Sequence, residues 1–274
     1  MDVKKALQAL LFPVKKVEAF LSTGKKLKFN NAISHFIVAE TENGPLVVNS
    51  CSRGYQLVPN EKLLVPIVEA ISDEHDVQIR ARRNDLYSKF AIDLIFRKKG
   101  LGIAKKDDIF PQIKILNSYD GSLKLQVNYG FHRLACSNGL SVPVGEQTKG
   151  LKIMHTSGTT DQTIESLLKG VKDFIGISKD LAKLYDPLLK VKLSEAGAAK
   201  VIEEIAEETK FSKKSAEAAM ERLQKEAKTG LPITNWLVYN AVNHSLYNNP
   251  DNKMPEHKRD KVDKEILQFL LDKS

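Results

Sequence analysis

From His35 to about residue 155 the chain alternates apolar and polar residues with a period of two, in short runs bounded by Gly, Asn, Asp or Pro. HFIVAE, PLVVNS, DVQIRAR, LYSKFAIDLIFR, PQIKILNS, SLKLQVNY, GFHRLAC and GLKIMH are of strand length and rich in β-branched or aromatic residues, as expected of strands that hide one face. One helical segment, PNEKLLVPIVEAI from Asn60, interrupts them. The pattern predicts an antiparallel sheet with a helix across one face. Ahead of it, residues 3–22 read as one or two helical turns on either side of Pro13, forming an amphipathic arm.

After Gly158 the period lengthens. Ile164, Leu167, Leu168, Val171, Phe174, Ile175, Leu181, Leu184, Tyr185 and Leu188 recur at three and four, which predicts one long amphipathic helix from Thr160 to Leu189. Shorter helices follow at 194–208, 212–228, 234–248 and 256–272, with Ser194, Ser212 and Thr234 as N-caps and Gly230 as a stop. The fold class is therefore α+β: an N-terminal antiparallel sheet with a covering helix, then a helical half. The expected organisation is a basic helical arm over residues 1–29, a sheet domain over 30–158, and a helical domain over 159–274 packed on the sheet. No internal repeat or low-complexity linker separates the two halves.

The 274 residues, 42% apolar and 28% charged, suffice to bury a substantial core. No apolar run approaches bilayer length, and MDVKKALQALLFPVKKVEAF breaks off at Pro13 without a small-residue cleavage site, so the expected location is the cytoplasm, away from any membrane. Two cysteines, Cys51 and Cys136, make no disulfide framework and too few thiolates for a structural zinc site. Charge is the informative bulk property. Residues 1–150 hold 22 Lys and Arg against 15 Asp and Glu, whereas residues 151–274 hold 20 against 19. A basic excess in one half points to an anionic partner, nucleic acid first.

Sorting the strands by face locates much of that excess. With Val77, Ile79 and Ala81 inward, Gln78, Arg80 and Arg82 point out; with Phe90, Ile92, Leu94 and Phe96 inward, Lys89, Asp93 and Arg97 point out. Lys114, Lys124, Gln126 and Asn128 fall on outward positions too, giving a basic face with a single acid. Such a face is either a solvated sheet surface or a phosphate-binding one, and the lysines of the preceding arm favour the second. Tyr55, Tyr87 and Tyr119 are the aromatics nearby that could stack on unpaired bases.

The stretch NSYDGSLKLQVNYGFHRLACSNGL, residues 117–140, contains two dipeptides suited to tight turns, Asp120-Gly121 and Asn138-Gly139, with Leu123, Leu125, Val127 and Tyr129 alternating between them. It also brings His132, Arg133 and Cys136 together, and His155 follows. These could supply a thiolate with its base, or three metal ligands. The plainer reading makes Cys136 a small buried hydrophobe and His132 a polar edge residue, because Leu134 shares their side of the strand. Arg133 has two readings: it pins the 117–122 turn, or it holds a phosphate from the open side. No HExxH, P-loop, GxSxG or spaced acidic cluster occurs, so the expectation is no catalytic residue, cofactor or metal. In TNWLVYNAVNHSLYN, helical spacing lines up Trp236, Asn240, Asn243, His244 and Tyr247, a stripe read as buried amides stitching this helix to the sheet rather than as a pocket.

Three stretches, NSYDGSLKLQVNYGFHRLACSNGL, LKIMHTSGTT and TNWLVYNAVNHSLY, resemble in order and spacing the phage- and plasmid-borne family called domain of unknown function 932. The resemblance covers about residues 30–250 and marks Asn117, Ser118, Asp120, Gly121, Arg133, Cys136, Asn138, Gly139, His155, Asn240 and Ala241. It implies a mobile-element context and no established reaction. The lysine arm and the tail MPEHKRDKVDK lie outside the pattern.

Three functional readings stand. The first is a non-enzymatic nucleic-acid-binding protein of a phage or plasmid, a single-stranded DNA binder or annealing factor in replication or recombination, using Arg80, Arg82, Lys89, Arg97, Lys114, Lys124 and Arg133. The second is a host-interaction or anti-defence protein that binds another protein, with the helix from Thr160 as its partner or homo-oligomer surface. An enzyme using Cys136, His155 or Asp120 ranks third.

Overall fold

The computed structural model describes residues 3–19, 33–74, 76–104, 107–133, 138–141, 151–153 and 160–274. Cys136, His155, Leu134 and the lysines at 25, 26 and 28 lie outside these residues. The fold is α+β, with ten strands before residue 154 and six α-helices after Gly158 among the described residues.

Helix α1 (Val3–Leu7) runs into a 3-10 turn over Gln8–Leu10, and strand β1 (Val14–Glu18) follows. The helical reading holds before Pro13 and fails after it. Proline cannot continue the helix, and VKKVE pairs instead with β2 (Ile33–Thr41), Val14 opposite Ala39 and Glu18 opposite His35. Strand β3 (Gly44–Ser52) completes a three-stranded antiparallel sheet in the order β1-β2-β3, and Gly44 turns the β2–β3 hairpin at φ +101°. Helix α2 (Asn60–Glu74) buries Leu63, Leu64, Ile67, Val68 and Ile71.

Seven strands form the second sheet. β4 (Val77–Arg83), β5 (Lys89–Phe96), β7 (Asp107–Ser118), β8 (Leu125–Arg133) and β10 (Leu151–Ile153) lie in the order β10-β8-β7-β5-β4. β6 (Leu101–Ala104) adds to β7, and β9 (Asn138–Ser141) adds to β8. The expected break between SLKLQVNY and GFHRLAC does not occur, since β8 runs unbroken through Tyr129 and Gly130. Asp120-Gly121 does turn the chain, with Gly121 at φ +72°. Asn138-Gly139 does not: both residues sit in β9, paired with Arg133 and His132. Pairing there satisfies the backbone groups that a tight turn at that dipeptide would have left to solvent.

The helical half begins with α3 (Thr160–Ala182). A 3-10 turn at Lys183–Tyr185 separates it from α4 (Asp186–Lys190), where Pro187 starts a new helix instead of extending the old one. Helices α5 (Glu195–Glu208), α6 (Lys213–Ala227), α7 (Asn235–Asn248) and α8 (Glu256–Asp272) match the expected spans. Ser194, Ser212 and Thr234 each accept a backbone N–H from the first turn, and Gly230 sits at φ +84°.

The chain divides into two compact units. One comprises Met1–Lys98, Gln112–Asn128 and Gly150–Ile175; the other comprises Lys99–Pro111, Tyr129–Lys149 and Gly176–Ser274. Within the second, α7 is the central helix, with Trp236, Leu237, Val238, Tyr239, Asn240, Ala241, Val242 and Asn243 all buried. Among the described residues no helix is long and apolar enough to cross a membrane.

Candidate functional site

The register of β4, β5 and β7 settles which side chains share a face. Arg80, Asp93 and Lys114 form one cross-strand row, flanked by Arg82, Ala91 and Leu116 on one side and by Gln78, Ile95 and Gln112 on the other. Lys89, opposite Ser118, continues the same face toward the β4–β5 turn. Arg97 follows β5 and donates to Gln78. The expected outward set thus does fall on one face, but that face is not open. Ala91, Ile95, Leu116 and Gln112 are buried on it, and Asp93 is only 5% exposed. Strand β5 is hidden on both sides, and its outward positions are half apolar.

Asp93 accepts from the Arg82 guanidinium at 2.6 Å, while the rest of the Arg82 side chain reaches solvent. Arg80 and Arg82 lie on the edge strand β4, whereas Lys114 stands on the interior strand β7.

The best-built part of the first unit is the end of the sheet where the β4–β5 hairpin meets the β7–β8 turn. LYSKFAIDLIFR was expected to be strand from Leu86; instead residues 84–88 form the loop, and Asn84 closes it. Its side-chain oxygen accepts from Ser88 N and Lys89 N, both at 2.9 Å, its amide donates to Ser88 Oγ, and its carbonyl accepts from Tyr87 N. Tyr87 takes φ +53°, the left-handed region that a residue with a Cβ enters at a cost of about 1 to 2 kcal/mol. Its ring offsets that cost. The Arg83 guanidinium lies 3.6 Å above it and donates to its hydroxyl, and Phe12 meets it edge-on at 5.1 Å. Arg83 also donates to the Ala9 carbonyl. Leu86, at the tip, is 66% exposed.

The neighbouring turn carries NSYDGS. Ser118 Oγ both donates to Leu123 O and accepts from Leu123 N, and Asp120 Oδ1 accepts from Ser122 N at 2.9 Å, so the loop is held by its own side chains. Tyr119 N donates to Ser88 O at 2.8 Å, joining the two loops. The buried Tyr119 hydroxyl accepts from Asn60 N at 2.7 Å, and burial drives its pKa far up. Asn117 and Asn49 complete the anchorage, donating to Asn60 Oδ1 and Tyr119 O. Burial alone would raise the pKa of Asp120, but the Ser122 hydrogen bonds, with Lys89 and Ser118, outweigh it and hold the carboxyl below its ordinary value. Lys89 Nζ stands 3.8 Å from Asp120 Oδ2. Tyr55, half-buried and near Cys51 and Asp120, is pushed up to about 12, mainly by burial, and the Cys51 thiol is raised by burial against the pull of Lys16. Both remain protonated at neutral pH, which is a resting state and not that of a poised nucleophile.

Of the seven candidate residues, Arg80, Arg82, Lys89 and Lys114 share the sheet face, and the exposed Lys124 follows the turn at the same sheet end as Lys89. Arg97 lies at the opposite end of β5, and Arg133 belongs to the second unit. There Arg133 is fully buried, donating from Nε to both Asp107 oxygens and from Nη1 to Glu226 Oε2 at 2.7 Å. The sequence readings of Arg133 do not include that environment, in which its guanidinium serves the interior of the second unit. Trp236 Nε1 donates to the same Asp107 at 2.9 Å, and Arg222 holds Glu226 from the other side.

The α7 stripe is structural, with a different partner from the one expected. Asn243 Nδ2 and Tyr239 Oη donate to Asp263, and Tyr247 Oη donates to Asp260, so α7 is stitched to α8; the tie to a strand comes through Trp236. His132 is buried in β8 opposite Gly139. Among the described residues no three His, Cys, Asp or Glu side chains stand together as a metal site would need.

Sequence reasoning missed Arg83, Asn84, Leu86 and Phe12 at the sheet end. The signal was the Asn84-Asp85 pair, a turn-favouring dipeptide overridden by the strand-like Leu86-Tyr87 that follows.

No curated protein and no solved structure matches the chain. A family model does, over residues 47–266, most of the chain. Of the residues by which the sequence resembles that family, Asn117, Ser118, Arg133, Asn240 and Ala241 are buried and Asp120 and Gly121 build a turn, so the shared pattern is largely one of architecture. The chain belongs to the family described as domain of unknown function, DUF932.

Proposed function

We propose that this chain is a cytoplasmic nucleic-acid-binding protein of a phage or plasmid, acting on single strands in replication or recombination without catalysing a reaction. The observation that carries this reading is the clustering of Arg82, Arg83, Lys89 and Lys124 around the two joined loops at one sheet end, with Arg80 and Lys114 farther along the same face. Asp93 pairs with Arg82 at 2.6 Å and Asp120 stands 3.8 Å from Lys89, so these two carboxylates offset part of the cluster's charge and the remaining cations supply the excess. Cationic side chains on a rigid rim are what phosphate contacts require, and they impose no base sequence.

The aromatic part of the expectation narrows. Tyr119 is buried, the Tyr55 hydroxyl is enclosed, and one face of Tyr87 is covered by Arg83, so affinity here rests on charge more than on aromatic stacking. Titration of fluorescently labelled single-stranded and duplex DNA and RNA across a salt series tests the proposal. Binding that weakens steeply with salt and favours single strands supports it; no binding at low salt removes it.

A further inference from the structure

We propose that Leu86, at the tip of the β4–β5 hairpin, is an apolar wedge that seats against an unstacked base while Arg82, Lys89 and Lys124 hold the phosphates around it. The inference rests on the nucleic-acid reading above and adds the part of the ligand that is recognised. Leu86 is 66% exposed, the most exposed of the large hydrophobic side chains among the described residues. Phe12, Tyr87, Phe90 and Tyr119 form an aromatic cluster at this end of the sheet, with contacting ring centroids 4.7 to 6.0 Å apart, while Leu86 stays exposed.

The backbone at the tip is held stiffly. Asn84 makes four hydrogen bonds across the loop through its side chain and carbonyl, and Tyr87, immediately after Leu86, is locked at φ +53° between Arg83 and Phe12. A left-handed tyrosine where glycine would be comfortable is a costly way to end a loop, and it persists because the contacts to its ring hold it there. A rigid tip with one aliphatic side chain is suited to unstacking a base step, for which leucine is among the side chains that nucleic-acid-binding proteins use.

Charge complementarity selects the occupant. Arg82 and Lys89 have 45% and 44% of their side chains exposed, and Lys124 is exposed beside the adjoining turn. A lipid surface would take these cations as well, but Asp85, exposed next to Leu86 at the tip, would have to enter the acyl boundary with it.

The test uses the full chain and a single-stranded oligonucleotide carrying one 2-aminopurine, whose emission rises when it unstacks from its neighbours. Wild type should raise the emission on binding. Leu86→Ser should keep the salt dependence of binding but lose the emission rise and bind several-fold more weakly, and Leu86→Phe should restore both. Salt-dependent binding with equal emission in wild type and Leu86→Ser overturns the wedge and leaves the phosphate reading intact. Failure of wild type to bind any oligonucleotide at low salt overturns both. Binding to vesicles of equal phosphatidylserine and phosphatidylcholine that is lost in Leu86→Ser, without any change in 2-aminopurine emission, assigns the tip to lipid and also overturns the proposal.

Discussion

Arg133 Nε donates to both carboxylate oxygens of Asp107, at 2.7 and 3.0 Å, with both side chains out of water and Trp236 donating to the same carboxylate. An ion pair buried this way contributes little net stability compared with apolar packing, but removing one partner strands the other charge. Arg133→Gln should therefore destabilise the fold by about 3 to 5 kcal/mol, measured by urea denaturation, because Asp107 and Glu226 lose their shared cation. The loss should be relieved in part when Asp107→Asn is added. An unchanged melting temperature with loss of nucleic-acid binding would instead return Arg133 to the ligand site.

Gly121 raises a different kind of requirement. Its φ is +72°, and a Cβ there would meet nothing closer than Asn49 Nδ2 at 3.7 Å. Space is therefore available and backbone conformation is the obstacle. Gly121→Val should cost at least about 1 kcal/mol, and Gly121→Asn less, since asparagine tolerates the left-handed region. Thermal melts of the two variants provide the check. The strain argument does not extend to Gly139, which lies in β9.

His244 should make stability pH-dependent. Burial, then the neighbouring Arg222, lower its pKa from 6.5; Lys225 adds to this and Glu226 opposes it. The folded state thus favours neutral imidazole, and between the folded and unfolded pKa values the unfolded chain binds more protons. His244's contribution is fully present above pH 6.5 and is lost as pH falls through the folded value. Melting temperature should decline between about pH 7.5 and about pH 5.5, and His244→Gln should flatten that decline. Identical slopes in wild type and variant would remove His244 as the cause.

The asparagine at the base of the hairpin offers a test of loop rigidity. Asn84→Ala removes the acceptor for Ser88 N and Lys89 N and the donor to Ser88 Oγ. Amide exchange at Tyr87, Ser88 and Lys89 should speed up by an order of magnitude or more, roughly the loss of 1 to 2 kcal/mol of local protection, while β2 and β3 are unaffected. Unaltered protection at those three amides would show that the loop is held by the aromatic cluster alone.

Much of the fold was legible because its signals are local. Ser194, Ser212 and Thr234 cap their helices through their own side chains, and the periodicity of α3 and the Asp120-Gly121 turn need only neighbouring residues. What escaped depends on distant parts of the chain. Strand β5 looks one-sided until Ala91, Ile95 and Leu116 are seen buried on the other face. Arg133 looks like a surface cation because Asp107 and Glu226, its partners, stand 26 and 93 residues away. Leu86 and Tyr87 carry strand propensity, and only Asn84, Arg83 and Phe12 together explain why they form a loop.

The central claim is that phosphates bind the cationic sheet end, and the salt slope of binding tests it most directly. Arg80→Gln, Lys89→Gln and Lys124→Gln should be combined, leaving Arg82 in place because the buried Asp93 depends on it. Affinity of wild type for a single-stranded oligonucleotide should fall linearly in log–log form as salt rises, and the triple variant should lose about 2 from the magnitude of that slope, about 0.7 for each phosphate contact removed. Its melting temperature should remain that of wild type. An identical slope in wild type and variant, or no binding by wild type at low salt, would contradict the account.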